Sequence, residues 1–237
     1  MKAKIQICKD HQEASRFAAS LLAERFIQNP KMAVAFAAGD TPLACYRELI
    51  HKQRNRELRL DQAFYIGLDE WMGLGSQAKG GCMATLNQAY YLPAGIPAER
   101  VMSFNGLCVD TNAELGRMRE ILKRYPLTLA VLGVGVNGHV GFNEPGEALL
   151  DDFSLARLSE STRTIGLKYF SGCQVPALGA TITLQALKRA EHVIVLATGS
   201  AKRDAVSDVL SGRACLPVGA FLEHPGCFYV FDEEAAR

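Results

Sequence analysis

The chain has 237 residues, 49% of them hydrophobic and 22% charged, as expected for one ordinary globular domain with a sizeable core. Its 26 basic residues are scattered and the formal net charge is +1, so no electrostatic footprint for nucleic acid or an anionic membrane stands out. No apolar run approaches the roughly 20 residues of a membrane span, and the start, MKAKIQICKDHQ, turns charged too early for a secretion signal, so a cytoplasmic protein is expected.

From the N-terminus, short β-branched or aromatic runs end in Gly, Asp or Ser: Lys4–Cys8, Met32–Ala38, Ala63–Leu68, Leu127–Gly135, His192–Thr198 and Cys227–Phe231. Most are apolar throughout rather than alternating, the pattern of strands covered on both faces. Helical spacing separates many of them, at Phe17, Leu21, Leu22 and Phe26, at Leu115, Met118, Ile121 and Leu122, and at Ala205, Val209 and Leu210. This alternation predicts a single-domain α/β fold over 1–237: a doubly wound, mostly parallel, three-layer sheet. Asp151–Gly179 differs, being polar, weakly periodic and interrupted by Gly166, Gly172, Pro176 and Gly179. It reads as a long loop, either a lid or a passive surface excursion. Seven cysteines (Cys8, Cys45, Cys82, Cys108, Cys173, Cys215 and Cys227) form neither a C-x-x-C pair nor a metal-ligand cluster. Reduced, small apolar fillers are expected.

Ligands of such sheets bind beyond the carboxyl ends of the strands. After Met32–Ala38 come Gly39, Asp40, Thr41 and Pro42, with Pro42 suited to a first helical turn and Thr41 to the cap. Free N–H groups there would hold a phosphate, unless the turn is a plain cap. Asp69-Glu70 ends the next run; one of two adjacent carboxylates in a crevice can carry a raised pKa, although a cap or solvated turn is also open. Gly199-Ser200 follows His192–Thr198 and starts a helix near Ala201. Lys202 in its first turn opposes the helix dipole unless an anion is bound.

Gly133-Val134-Gly135-Val136-Asn137-Gly138 fits G-x-G-x-x-G letter for letter, yet Gly141 and Pro145 follow too soon for the helix a dinucleotide turn requires. No nucleotide is expected. The same loop carries His139 and Glu144, close enough to fold back on each other, with the carboxylate fixing the imidazole tautomer. Together the strand ends predict a phosphorylated small substrate undergoing proton transfers without metal or nucleotide.

The motifs GDTP (Gly39–Pro42), LDEW (Leu68–Trp71), GVGVNGHVGFNEPGE (Gly133–Glu147), STRTIGLKYF (Ser161–Phe170) and TGSAKRDA (Thr198–Ala205) together resemble the glucosamine-6-phosphate deaminase/isomerase family. The resemblance runs over nearly the whole chain and is closest to the galactosamine-6-phosphate isomerase (deaminase) branch. It implies conversion of a 2-amino-2-deoxyhexose 6-phosphate into a ketohexose 6-phosphate and ammonia, with no cofactor. It implies Asp69 as the base moving a proton between C1 and C2, His139 as the ring-opening group, and Glu144 as the acid orienting it. Thr41, the backbone of Gly39 and Asp40, and Lys202 match phosphate-binding positions. Lys168 stands where relatives carry a substrate-binding arginine.

Three departures carry expectations. Asn137 replaces the aspartate of glucosamine members, which should lower the His139 pKa and favours the galacto epimer. Asp40 occupies a position usually small, and its carboxylate is expected to point away from the phosphate, leaving only its N–H. Lys168 gives up the planar fork of arginine. The longer C-terminal extension of allosteric hexameric members is missing after Arg237, so amino-sugar activation is not expected, and homo-oligomerisation stays open. A 6-phosphogluconolactonase-like hydrolase would follow the histidine with a Ser-Leu-Phe-Pro pattern rather than Phe142–Pro145. A non-catalytic sugar-phosphate-binding module of a regulator would carry a helix-turn-helix, and only three residues precede the first strand.

Overall fold

The computed structural model describes residues 2–170 and 174–237. In chain order the elements are β1 (Lys4–Cys8), α1 (His11–Gln28), β2 (Ala33–Phe36), α2 (Asp40–Arg54), β3 (Phe64–Gly67), β4 (Asp69–Trp71), α3 (Cys82–Leu86), β5 (Val101–Met102), α4 (Thr111–Arg124), β6 (Leu129–Gly133) and β7 (Phe153–Arg157). There follow α5 (Glu160–Phe170), β8 (Leu178–Ile182), α6 (Leu184–Leu187), β9 (His192–Ala197), α7 (Arg203–Leu210), β10 (Cys227–Asp232) and α8 (Glu233–Ala236). Among the described residues no helix is long and apolar enough to cross a membrane.

Seven strands make one parallel sheet, ordered β1-β10-β9-β6-β2-β3-β5. The continuous apolar runs have the expected cause. Along β2, β6, β9 and β10, successive side chains enter opposite layers, so both parities must be apolar. Val34, Phe36, Leu129, Val131, Ile194 and Leu196 pack beneath α1 and α2. Ala35, Ala130, Leu132, Val193 and Val195 pack on the other face, against residues of α4 and α7. Asp10 and Asp110 start α1 and α4 by accepting the N–H of Glu13 (2.8 Å) and Ala113 (3.0 Å). Strand order reverses between β2 and β6, so the loops leaving their carboxyl ends diverge there and open a crevice.

A second, three-stranded antiparallel sheet, β4-β8-β7, lies outside the sequence expectation. It corrects the reading of 151–179 as a loop. The described part of that segment forms β7, α5 and the start of β8, while Gly172 and Cys173 lie outside the described residues. The glycines that hid this order serve packing. Gly166, on α5, leaves room for the Trp71 ring, and a Cβ on Gly179 would enter the Phe142 ring, which packs edge-on to Trp71 at 4.8 Å. The cysteine expectation holds for buried Cys8, Cys45 and Cys227, whereas Cys215 is exposed and Cys82 faces the crevice.

Gly179→Ala is expected to destabilise the fold by about 1–3 kcal/mol through overpacking against Phe142. An unchanged thermal midpoint would refute that packing.

Candidate active site

A crevice of about 480 Å³ opens at the switch point, the size of pocket that holds a small ligand. Gly39, Asp40 and Thr41 line it from the β2–α2 turn, Asp69 from β4, His139 from the loop after β6, Lys202 from the turn after β9 and Lys168 from α5. Of the expected site residues, only Asn137 and Glu144 stand back from the cavity, behind His139.

The histidine loop explains its glycines. A Cβ on Gly135 would collide with the His139 ring, so this position leaves room for an imidazole rather than a pyrophosphate. Gly138 turns the chain at φ 82°, and its carbonyl accepts from Val218 N at 3.0 Å. No helix follows. Instead Asn143, buried, donates to the carbonyls of Val140 (2.8 Å) and Ile182 (2.9 Å) and accepts from Leu184 N (3.0 Å), fastening the loop to β8 and α6.

Glu144 does not reach the imidazole as its spacing predicts: its Oε2 lies 3.9 Å from His139 Nδ1. Asn137 stands between them. Its amide nitrogen donates to Glu144 Oε2 at 2.8 Å and to Ser159 Oγ at 3.2 Å, which aims its carbonyl oxygen at His139 Nδ1, 2.7 Å away. A carboxylate only accepts, so the amide orientation is set by Glu144, and Nδ1 must carry the hydrogen. Nε2 then remains as the free basic nitrogen. Burial drives the His139 pKa down to about 4, against the pull of Glu144 and with help from Lys202. The imidazole is therefore neutral at pH 7, a drop in the direction expected from Asn137 but caused chiefly by desolvation. Burial pushes Glu144 up, but bonds from Thr162, Asn137 and Ser159 N, with the nearby His139, outweigh it and keep its carboxyl below the usual range.

The two adjacent acids have opposite fates because a strand alternates its faces. Glu70, buried, accepts the N–H of Trp71, Cys82 and Met83, each at 2.9 Å. It is a structural carboxylate, tying β4 to the start of α3. Asp69 faces the crevice. It still touches solvent there, yet protein encloses it so closely that burial lifts its pKa to about 7, with Glu70 adding to the rise and Cys82 opposing it.

At the mouth, the cap differs from the expectation. Gly39 is the N-cap of α2 with no side-chain bond, and Thr41 lies inside the first turn, so the N–H groups of Asp40 and Thr41 gain no side-chain partner there. Across the crevice Gly199, at φ 85°, leads through a short turn at Ser200–Lys202 into α7; its own N–H is taken by Asp232 at 3.0 Å. Burial and the ammonium of Lys168 pull the Lys202 pKa down, and Asp40 opposes them. The Asp40 carboxylate, expected to point away from the phosphate, lies at the mouth with its Oδ2 2.5 Å from Lys168 Nζ. A carboxylate at this mouth finds a cation on the covering helix.

Residues 9–229 match the family model "Glucosamine-6-phosphate isomerases/6-phosphogluconolactonase". The chain belongs to this family. A glucosamine-6-phosphate deaminase of Bacillus velezensis is 31% identical, over 97% of each chain, and one of Clostridium perfringens is 30% identical over 99% of this chain and 98% of its own. A monomeric glucosamine-6-phosphate deaminase has a structure with TM-score 0.93 and 28% identity, covering 98% of each chain. A 6-phosphogluconolactonase from Trypanosoma brucei shares the fold, at TM-score 0.78 and 22% identity.

Sequence reasoning missed some of this family member's site. Thr162, whose Oγ1 is 3.0 Å from His139 Nδ1, and Ser159 both come from the segment read as a loop. Cys82, on the crevice wall beside Asp69, follows Gly80-Gly81 and has no local signal of its own.

Asp69 also makes a prediction about stability. A carboxyl whose pKa is raised on folding is no burden below its unfolded value near 4; the cost grows as pH rises and levels off above about 7. Asp69→Asn is therefore expected to stabilise the protein by about 1–3 kcal/mol at pH 8, with the gain fading toward pH 4. Equal stability of both proteins in chemical denaturation at pH 8 would contradict the raised pKa.

Proposed function

We propose that this chain isomerises and deaminates a 2-amino-2-deoxyhexose 6-phosphate, giving a ketohexose 6-phosphate and ammonia, with galactosamine 6-phosphate preferred over glucosamine 6-phosphate. One observation carries the reading: a neutral imidazole and a carboxyl of pKa about 7 open onto one crevice whose mouth holds two lysines and an uncapped helix start. The names of the curated relatives support the deaminase chemistry. The epimer preference rests on Asn137, shared with the branch the motifs resemble. A dianionic sugar phosphate does not cross a bilayer unaided, which favours a cytoplasmic setting.

In this reading the phosphate sits at the N–H groups of the α2 start with Lys202 and Lys168. His139 Nε2 takes the proton of O1 and returns it to O5 as the C1–O5 bond breaks, opening the ring. Asp69 removes the proton from C2; that electron pair forms a C1–C2 double bond as the substrate's 2-ammonium group gives one proton to O1. Asp69 then returns the proton to C1, leaving a C2 iminium. Water adds to C2, ammonia leaves, and the ketone remains. Close holding of the carboxylate against C2 supplies much of the rate.

Purified protein is expected to release ammonia from galactosamine 6-phosphate faster than from glucosamine 6-phosphate, without added metal or nucleotide. Hydrolysis of 6-phosphogluconolactone in place of ammonia release would overturn the assignment. Because Asp69 must be ionised and His139 is already neutral, kcat/KM should rise with pH through a midpoint near 7. A midpoint below about 5 would contradict the raised pKa of Asp69. Asp69→Asn should lower kcat by at least about a hundredfold. His139→Gln should slow the cyclic substrate more than the open-chain sugar, and equal losses would remove the ring-opening role.

A further inference from the structure

The anion end of the crevice already contains an anion. Asp40 opens α2 and Lys168 lies near the end of α5, 128 residues away in sequence, yet their side chains meet at 2.5 Å across the mouth. Both line the cavity, as does Lys202, and Lys202 senses the charges of both. The Lys168 ammonium also lies 4.7 Å from the centre of the Tyr169 ring, which helps hold it over the mouth. The carboxylate therefore sits on the lysine that the proposed function assigns to the substrate phosphate.

We propose that Asp40 is a built-in competitor for the phosphate: its carboxylate occupies Lys168 and latches α5 to α2 until a phosphate displaces it. The inference rests on the phosphate placement above but not on the deamination chemistry. Two lysines and an uncapped helix start would otherwise leave a strongly positive site open to any small anion. Asp40 cancels one of those charges, so only a ligand that also gains contacts deeper in the crevice binds well. The ion pair is half-exposed, with side-chain accessibilities of 50% for Lys168 and 63% for Asp40, so its effect is modest and screened by salt.

The test titrates inorganic phosphate into the full-length protein by calorimetry and does not require turnover. Asp40→Asn should lower the phosphate Kd about fivefold at low salt. That gain should shrink at high salt and largely disappear in a Lys168→Gln background. A Kd that is unchanged or raised by Asp40→Asn overturns the latch. So does a gain of the same size without Lys168, which would mean simple repulsion, or a failure of both proteins to bind phosphate at any concentration. If phosphate binding tightens as expected while no amino-sugar phosphate is deaminated, the latch stands and the proposed reaction falls.

Discussion

Three backbone N–H groups converge on one buried side chain, Glu70, and the rest of the site depends on that bond set. A buried carboxylate is tolerated only where donors satisfy it, and here Trp71, Cys82 and Met83 supply them. The bonds lock β4 against α3, and strand geometry then leaves Asp69 no choice but the opposite face. Asp69 consequently sits in the crevice without comparable donors of its own. Its proton is held by desolvation, the condition under which a carboxyl becomes a base matched to neutral pH.

The histidine loop solves a related problem with neutral groups. Glu144 carries the negative charge but is kept from direct hydrogen bonding to the imidazole by Asn137, which transmits its orientation. The tautomer is fixed in this way, and burial lowers the pKa, so the group is a neutral imidazole rather than an imidazolium. Such a group can accept a proton and pass it on, which suits a shuttle between two oxygens of a sugar more than a permanent cation would. The glycine pattern that superficially resembles a nucleotide turn exists because a ring must lie over Gly135.

Much of this was legible in the sequence, for identifiable reasons. β2, β6, β9 and β10 announce themselves because both faces are buried, so their apolar runs have no gaps. The strand ends then located Asp69, His139, Lys202 and the Gly39–Thr41 turn on one crevice. β4 was not legible: it is three residues long and two of them are acids. β7 and α5 were obscured because Gly166 and Gly179, which read as breakers, answer to Trp71 and Phe142 far away in the chain. The same limit applied to side-chain direction. Glu144 was expected on His139, and no partner was foreseen for the Asp40 carboxylate; in each case the deciding partner, Asn137's amide or Lys168, acts through three-dimensional geometry that spacing does not encode.

Burial makes Asp69 titrate near neutrality. Infrared difference spectroscopy reads this directly, as the protonated carboxyl band that Asp69→Asn removes. This band should persist at pH 6 and disappear with a midpoint near 7. Loss of the band by about pH 5 would show an ordinary, solvated carboxylate and contradict it.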